Sequence, residues 1–305
     1  MSESIQEPCG VLIVNKHAGV TSHDIVNKVR RLYGTRRVGH TGTLDPMATG
    51  VLVVLVGRAA KASEYLMSDR KSYSAVLRLG TVTDSGDITG MILSVSDQIP
   101  SSDALQAVLP RFRGEIEQIP PMYSALKVNG QKLVDLARRG EVVERQPRRI
   151  TIDRLESAPT DRLTDYRLEV TCSGGTYIRT LCEDIGAALG CGGTMASLCR
   201  TETGGFSLTQ AHTIEELTEM EETDRLAALL PVESLFASLP TVSLQSFYEK
   251  LIRSGCAVLQ SKLKVSLPIG TRVRLCNLEG VFFALGEVIE AEEGIAIKAI
   301  KTFVL

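Results

Sequence analysis

The sequence predicts an α+β fold, with a central, mostly antiparallel sheet followed by a small β-barrel at the C-terminal end. Strand-length apolar runs and helix-period stripes are interspersed with hairpin-like turns, which does not fit a regular βαβ array. After Pro240, several short strand-like segments follow one another, a pattern typical of a small barrel. We therefore expect a first domain over residues 1–240 and a second over residues 241–305.

The first part of the chain alternates buried strands with an amphipathic helix. Residues 11–14 and 51–56 are continuous apolar runs, long enough for a buried strand and too short to cross a membrane. Ser22 can cap a helix whose apolar stripe ends at Gly34. Residues 73–79 alternate apolar and polar side chains, which predicts a strand with one apolar face.

The same patterns continue to the second domain. Ser101 or Ser102 can open a helix that stops before Pro110, and Thr176 can cap a helix that Gly190 closes, with Cys182 on its apolar side. An acidic, leucine-rich segment then predicts a peripheral helix leading into Pro240. The remaining strands are predicted at residues 150–152, 166–170, 270–275, 280–286, 295–300 and 302–305, and the helix at 213–238.

Composition restricts the class of protein. The 305 residues are 44% hydrophobic and 23% charged, as in a soluble globular protein with room for a sizeable core. No apolar segment follows the N-terminus, and the seven cysteines include no C-x-x-C pair, so we expect free thiols in a reducing cytoplasm and no membrane span. The four histidines lack metal-ligand spacing, so no metal site is expected.

Charge is distributed unevenly along the chain. A net charge of −2 argues weakly against a nucleic-acid partner, but residues 1–80 hold eleven Lys/Arg against six Asp/Glu, and residues 127–149 hold seven against three. Residues 215–224 offset these clusters with six acids and no base. Because phosphate contacts depend on the local patch, RNA binding remains open. Four arginines of the first cluster form either a docking surface or the solvated end of a helix: Arg30, Arg31, Arg36 and Arg37.

Residues 39–50 form the most informative segment, G-H-T-G-T-L-D-P-M-A-T-G. Three glycines and a proline enforce an irregular backbone around Asp45, its only carboxylate, directly before an apolar strand. A carboxylate on a stiff loop beside a core strand is a common way to present a catalytic group. On spacing alone, the favoured interpretation is that Asp45, followed by Pro46, is the N-cap of a helix.

This segment resembles the G-H-T-G-x-L-D-P-x-A-x-G motif of the TruB family of tRNA pseudouridine synthases, in its bacterial form. Further family motifs occur in the family order. They are K-x-x-G-x-T-S at residues 16–22, K-x-Y at 71–73, T-x-T-D-x-x-G-x at 81–87 (with Gly86 one place early), Q-x-P-P-x-Y-S-A-x-K at 118–127 and S-x-G-T-Y-I-R-T at 173–180. Besides the early Gly86, two positions depart from the pattern: His17 replaces a usual proline, and Val134 stands where many members have tyrosine.

The resemblance implies a pseudouridine synthase catalytic domain followed by a PUA-like RNA-binding barrel. The implied activity is isomerisation of the T-loop uridine of tRNA, uridine 55, to pseudouridine with an aspartate carboxylate and no cofactor. The implied partner is the T-stem-loop of tRNA, with no obligatory protein partner, and we expect a monomer. In the second domain, phosphates could be contacted by Lys262, Lys264, Arg272 and Arg274.

The resemblance also assigns residue roles. Asp45 would stabilise positive charge at C1′, attack it, or take the 2′ proton, and Arg179 would keep Asp45 ionised. Spacing alone favours another partner for Arg179, namely Glu183 at i, i+4 on an exposed helix face. Lys16 would fix the catalytic loop or meet a phosphate.

The remaining predicted residues surround the target base, which must be flipped out of its RNA loop. Tyr73 would stack on the uracil, Tyr177 and Leu198 would line the pocket, and His40 would occupy the vacated stack. Otherwise Tyr73 and Tyr177 are packing side chains and His40 is a polar turn residue. Cys199 and Arg200 follow the family pattern more loosely.

Two other functions fit the same scaffold. A non-catalytic tRNA-binding or folding factor would not need the set of Asp45, Tyr73 and Arg179. A guide-RNA-dependent relative of the archaeal and eukaryotic type is disfavoured by the short segment before Val11, which has no basic tail.

Overall fold

The computed structural model describes residues 7–66, 70–128 and 130–303. Its strands are β1 (Gly10–Lys16), β2 (Val38–His40), β3 (Thr49–Val56), β4 (Lys71–Leu79), β5 (Thr81–Thr83), β6 (Ile92–Val95), β7 (Gly114–Gln118), β8 (Lys127–Val128), β9 (Gln131–Lys132), β10 (Arg148–Pro159), β11 (Asp165–Cys172), β12 (Gly193–Thr203), β13 (Phe206–Ser207), β14 (Thr241–Leu244), β15 (Val258–Leu259), β16 (Arg272–Asn277), β17 (Phe282–Ala291) and β18 (Gly294–Thr302).

Helices and strands are interspersed along the chain. The α-helices are α1 (Ser22–Leu32), α2 (Ser102–Val108), α3 (Leu133–Arg138), α4 (Ile178–Ala188), α5 (Ile214–Glu219), α6 (Glu222–Ala227), α7 (Ser246–Arg253) and α8 (Gln260–Leu263), and 3-10 turns occur at Gly57–Tyr65, Leu109–Phe112, Leu208–Gln210 and Val232–Phe236. No helix of the described residues is long and apolar enough to span a membrane.

The larger sheet carries the candidate site. Across the described residues its order is β1-β3-β12-β4-β11-β10-β7, with β2 added beside β3 and β13 beside β12. Neighbouring strands are antiparallel except β3 and β12, which pair in parallel at Cys199↔Thr49 and Arg200↔Gly50. The predicted α+β class with a mostly antiparallel sheet is confirmed.

Strands β1 and β3 are buried on both faces, which explains why their sequences do not alternate. Leu12 and Leu52 face the core formed with α1 and α4, whereas Val11 and Val53 face a second apolar cluster. That second cluster also contains Phe282 of β17. The larger sheet therefore shares buried apolar surface with the C-terminal sheet.

The C-terminal sheet has the order β14-β16-β17-β18-β15 within the described residues. Its pairs are antiparallel except β14 and β16, and it curls around a core of its own that includes Phe283 and Val288. This sheet is consistent with the expected PUA-like barrel. Strand β14 begins at Thr241, and the domain division at residue 240 stays a prediction.

Three predictions about helices are wrong, two of them about the N-cap residue. The cap of α1 is Thr21, which forms a capping box with Asp24, because the hydroxyl of Ser22 is used elsewhere. The N-cap of α4 is Tyr177, since the Thr176 hydroxyl donates to the Ser173 carbonyl.

The third error is the single helix over residues 213–238. The chain is extended at Met220, so α5 and α6 are separate short helices, and a 3-10 turn follows at Val232–Phe236. The apolar stripe does not continue, because Leu217 is buried whereas Leu226 is 41% exposed. The last predicted strand reaches residues 304–305, which lie outside the described residues.

Candidate active site

Asp45 lies in the loop that joins β2 to β3. No helix follows Pro46: the Asp45 carbonyl accepts a hydrogen bond from the Ala48 amide at 3.0 Å, and β3 then begins at Thr49. The N-cap alternative for Asp45 is therefore wrong. The carboxylate instead projects towards α4, with 33% of the side chain exposed.

The backbone on both sides of Asp45 is held by buried side chains. The Ser22 hydroxyl accepts from the Leu44 amide at 2.8 Å and donates to the Leu44 carbonyl at 3.1 Å. The ammonium of Lys16, which is 0% exposed, donates to the Pro46 carbonyl at 3.2 Å. The loop is thus a fixed support for its carboxylate.

Lys16 fixes more than the Asp45 loop. Its ammonium also donates to the carbonyls of His17 at 3.0 Å and Val20 at 2.8 Å, so its three protons meet three carbonyls. Burial lowers the pKa of Lys16 to about 8, while Asp45 opposes that shift. This geometry favours the loop-fixing alternative over contact with a phosphate. It also shows that His17, at the usual proline position, supplies one of the three acceptors.

Arg179 forms the central ion pair of the site. Its Nε lies 3.0 Å from Oδ2 of Asp45, and its Nη2 lies 3.4 Å from Oδ1. The same guanidinium donates to the Ser85 carbonyl at 3.0 Å and the Tyr123 carbonyl at 2.7 Å. Arg179 is 5% exposed, so the alternative pairing with Glu183 on an exposed helix face is wrong.

The electrostatic environment of Asp45 combines opposing effects. Burial raises its pKa, the Arg179 guanidinium lowers it, and the neighbouring Asp87 raises it again, with a net upward shift. A carboxylate with a raised pKa is a stronger base and nucleophile once it is ionised. Arg179 and Lys16 supply the positive charge that keeps the ionised form accessible.

Asp87 ends the T-D-S-G-D turn at residues 83–87, and the sequence predicts no role for it. Its Oδ2 lies 4.0 Å from Nη1 of Arg179, and its Oδ1 accepts from the Thr89 amide at 2.9 Å. Asp87 is 6% exposed, so it forms a second acidic partner on the far side of the guanidinium. A carboxylate within a tight T-D-S-G-D turn was the available signal, but only the fold brings it to Arg179.

The predicted pocket residues come from neighbouring elements. Tyr73 on β4 and Leu198 on β12 are 7% and 8% exposed, and Tyr177 directly precedes α4. Burial raises the pKa of Tyr73 and of Tyr177, and the charge of Asp45 acts on both hydroxyls. The structure therefore brings Tyr73 and Tyr177 within electrostatic reach of Asp45, while their contact with a substrate stays a prediction.

His40 ends β2, directly before the Asp45 loop. Its Nδ1 is buried and has no hydrogen-bond partner among the described residues. Burial lowers the pKa of His40, and Arg200 and His23 lower it further. These effects favour the neutral form of the ring, and the stacking role of His40 stays a prediction.

Sequence reasoning missed two further supports. The side-chain amide of Gln118 accepts from the Tyr177 amide at 2.8 Å and donates to the Tyr177 carbonyl at 3.0 Å. Arg200, described below, contacts the Asp45 loop. Gln118 lies in the Q-x-P-P-x-Y-S-A-x-K motif, and Arg200 follows the family pattern more loosely. The sequence therefore pointed to both residues but not to the groups that they contact.

Basic side chains line an open cleft of about 650 Å³ beside the 3-10 turn Gly57–Tyr65. The cationic lining residues are Arg36, Arg37, Arg58 and Lys61. Of the C-terminal basic residues, Arg274 pairs with Glu233 at 2.8 Å. Lys262 and Lys264 are exposed.

Two family models and several named proteins match this chain in sequence. The model of the TruB family pseudouridylate synthase N-terminal domain matches residues 30–178, and that of the tRNA pseudouridylate synthase B C-terminal domain matches residues 179–237. A Pseudomonas putida protein named tRNA pseudouridine synthase B is 45% identical over 287 residues, 92% of each chain. A Dechloromonas aromatica protein of the same name is 46% identical over 281 residues, 91% of each chain.

Solved structures also match this chain, at lower sequence identity. A chain from the crystal structure of a Cbf5–Nop10–Gar1 complex matches with a TM-score of 0.75 and 27% identity. The match covers 98% of this chain and 86% of the chain in that complex. An archaeal Nop10–Cbf5 complex matches with a TM-score of 0.72 and 25% identity, covering 98% and 88%. The resemblance read from the motifs is confirmed, and the chain belongs to the TruB family of pseudouridylate synthases.

Proposed function

We propose that this protein isomerises uridine 55 in the T loop of tRNA to pseudouridine, with Asp45 as the catalytic carboxylate and no cofactor. The observation that carries the proposal is the Asp45–Arg179 ion pair, with Nε and Oδ2 3.0 Å apart, together with the charge of Asp45 acting on the buried Tyr73 and the half-buried Tyr177. Its relatives of 45% and 46% identity are named tRNA pseudouridine synthase B, which supports pseudouridylation of tRNA.

The reaction is an isomerisation in which one bond is exchanged for another. The C1′–N1 bond breaks, the uracil turns, the C1′–C5 bond forms, and the proton lost from C5 is balanced by one gained at N1. Ionised Asp45 either attacks C1′ or takes the 2′ proton, and both routes need the negative charge that Arg179 stabilises. Tyr73, Tyr177 and Leu198 enclose the detached base so that it cannot diffuse away.

RNA binding also requires a positively charged surface. The cleft lined by Arg36, Arg37, Arg58 and Lys61 offers phosphate contacts that do not depend on base sequence. His40 would fill the stack left by the flipped base. We propose that the protein acts in the cytoplasm as a monomer and without a protein partner or guide RNA.

The test is to incubate the purified protein alone with an unmodified tRNA transcript and to analyse nuclease fragments by mass spectrometry after labelling of pseudouridine. We expect pseudouridine in the T-loop fragment alone. A transcript with cytidine in place of uridine 55 is the control and should stay unmodified. Modification only after a guide RNA or a protein partner is added would contradict the proposal.

A further inference from the structure

Arg200 lies where the Asp45 loop rejoins the larger sheet. It belongs to β12 and pairs with Gly50, the second residue of β3, at the parallel step. The two backbones are unusually close: Gly50 has φ +100°, and a Cβ there would lie 2.2 Å from the Arg200 carbonyl oxygen. The fold therefore requires glycine at position 50 to seat Arg200 beneath the loop.

The side chain of Arg200 connects the two ends of that loop. Its Nη2 donates to the Gly42 carbonyl at 3.0 Å, and its Nη1 contacts the Thr43 carbonyl at 3.5 Å. Its Nε donates to the Val51 carbonyl at 2.7 Å, beyond the loop. One planar guanidinium thus spans the backbone before and after Asp45, which a lysine ammonium cannot reproduce.

Arg200 is also the cross-strand partner of Tyr73 on β4. Its side chain is among the largest fully buried ones, at 1% exposure, and it forms no ion pair with a carboxylate within the described ranges. A buried charge without a counter-charge is costly and needs compensating hydrogen bonds. The three carbonyls provide them, so Arg200 and the loop geometry depend on each other.

We propose that Arg200 is a positioning residue, which fixes the Asp45 loop against the strand of Tyr73 so that both side chains meet one uridine at a set separation. The inference rests on the proposed function. Arg200 acts through the loop backbone and does not touch the reacting atoms. A small displacement of a catalytic group lowers the rate of the chemical step by up to about 100-fold without changing distant binding contacts.

The test compares Arg200→Lys, which keeps the charge but loses the fork, with Arg200→Met, which loses both. Arg225→Lys is the matched control, because Arg225 also donates to two backbone carbonyls, at 3.3 and 3.4 Å, but between α5 and α6. Single-turnover rates are measured by tritium release from 5-tritiated uridine in tRNA, and affinity by filter binding. Circular dichroism confirms that each variant is folded at the assay temperature.

We expect Arg200→Lys to lower the single-turnover rate by about tenfold or more, and Arg200→Met by more, with tRNA Kd within about threefold. Arg225→Lys should leave both unchanged. A wild-type rate in Arg200→Lys would overturn the proposal. So would a rate and an affinity that fall together in proportion to the folded fraction.

Hydrogen exchange separates this inference from the proposed function. In Arg200→Lys, the amides of Thr41, Leu44 and Ala48 should exchange at least about fivefold faster, while those of β11 stay unchanged. Unchanged exchange in the loop would overturn the positioning role. If wild-type protein made no pseudouridine but the loop amides still responded to Arg200→Lys, the proposed function would fail and the structural coupling would stand.

Discussion

Nε of Arg179 lies 3.0 Å from Oδ2 of Asp45, although the two residues are 134 positions apart in the chain. The side chain of Arg179 is 6% exposed, and its guanidinium also donates to the carbonyls of Ser85 and Tyr123. It therefore joins three separate segments around one carboxylate. Removing its fork should disturb the site without removing a group that contacts RNA phosphates.

Arg179→Lys is expected to reduce the single-turnover rate by about 100-fold, with tRNA Kd changed by less than about threefold. Lysine keeps the charge, but its compact ammonium lacks the planar fork that reaches Asp45 and the two carbonyls from three separate nitrogens. Rapid-quench measurement at saturating enzyme gives the rate. The control is Arg78→Lys, which disrupts another bidentate ion pair. Arg78 forms this pair with Asp165, at the end of β4 opposite to Tyr73. Equal losses in both variants would show a general effect on folding.

The pairing of Asp45 with Arg179 illustrates what sequence could provide. Spacing along α4 favoured Glu183 as the partner of Arg179, and only the family motif pointed to Asp45. The apolar runs of β1 and β3 predicted buried strands because both of their faces are covered. Such local patterns carry information about single elements, whereas the meeting of distant charges depends on the whole fold.

The supports of the loop could not be predicted for the same reason. Ser22 reads as a helix cap, since nothing local shows that Leu44 uses its hydroxyl. Arg200 and Asp87 each depend on a partner more than 90 positions away in the chain. Arg200 donates to the Gly42 carbonyl, and Asp87 lies beside Arg179. The roles of His40, Tyr73, Tyr177 and Leu198 at the substrate stay predictions.

Lys16 should set an alkaline limit to activity. Its pKa is lowered to about 8, chiefly by burial, so above that pH the side chain becomes a neutral amine with two protons for three carbonyls. We expect the single-turnover rate to fall by up to about tenfold per pH unit above 8. Lys16→Met should be slower at all pH values and lack this fall.

Stability should not follow the same trend. A lysine whose pKa is lowered on folding costs stability while it is charged, and this cost is relieved as the pH rises through the folded value. Thermal unfolding of wild type relative to Lys16→Met should thus show no added loss between pH 8 and 9. A parallel loss of stability and rate would assign the alkaline limit to unfolding.

The basic cleft should contribute to RNA affinity rather than to chemistry. Lys61→Glu is expected to weaken tRNA binding by about tenfold and to reduce the slope of log Kd against log salt by about one. The rate at saturating enzyme should be unchanged. Arg111→Glu, exposed in the 3-10 turn Leu109–Phe112, is the control with the same charge change. Equal effects of both variants would argue against the cleft as a docking surface.

Helix α8, beside the C-terminal sheet, carries Lys262 and ends at Lys264, and we expect these lysines to favour binding of whole tRNA over its isolated T-stem-loop. We expect Lys262→Glu with Lys264→Glu to weaken binding of tRNA by about fivefold and of the hairpin by less than twofold. Charge reversal is preferable to truncation near Pro240, which would uncover Phe236 and Phe206 in the cluster shared by both sheets. Equal losses on the two RNAs would contradict a docking role for the lysines of α8.

The most direct test of the central claim is the single-turnover rate of Asp45→Asn on T-stem-loop RNA, measured as tritium release beside wild type. The amide keeps the size of the side chain and loses the charge that each candidate route requires. We expect wild type to complete the reaction and the variant to show no detectable turnover, with RNA affinity within a few-fold of wild type. Turnover by Asp45→Asn near the wild-type rate would contradict the assignment of Asp45 as the catalytic carboxylate.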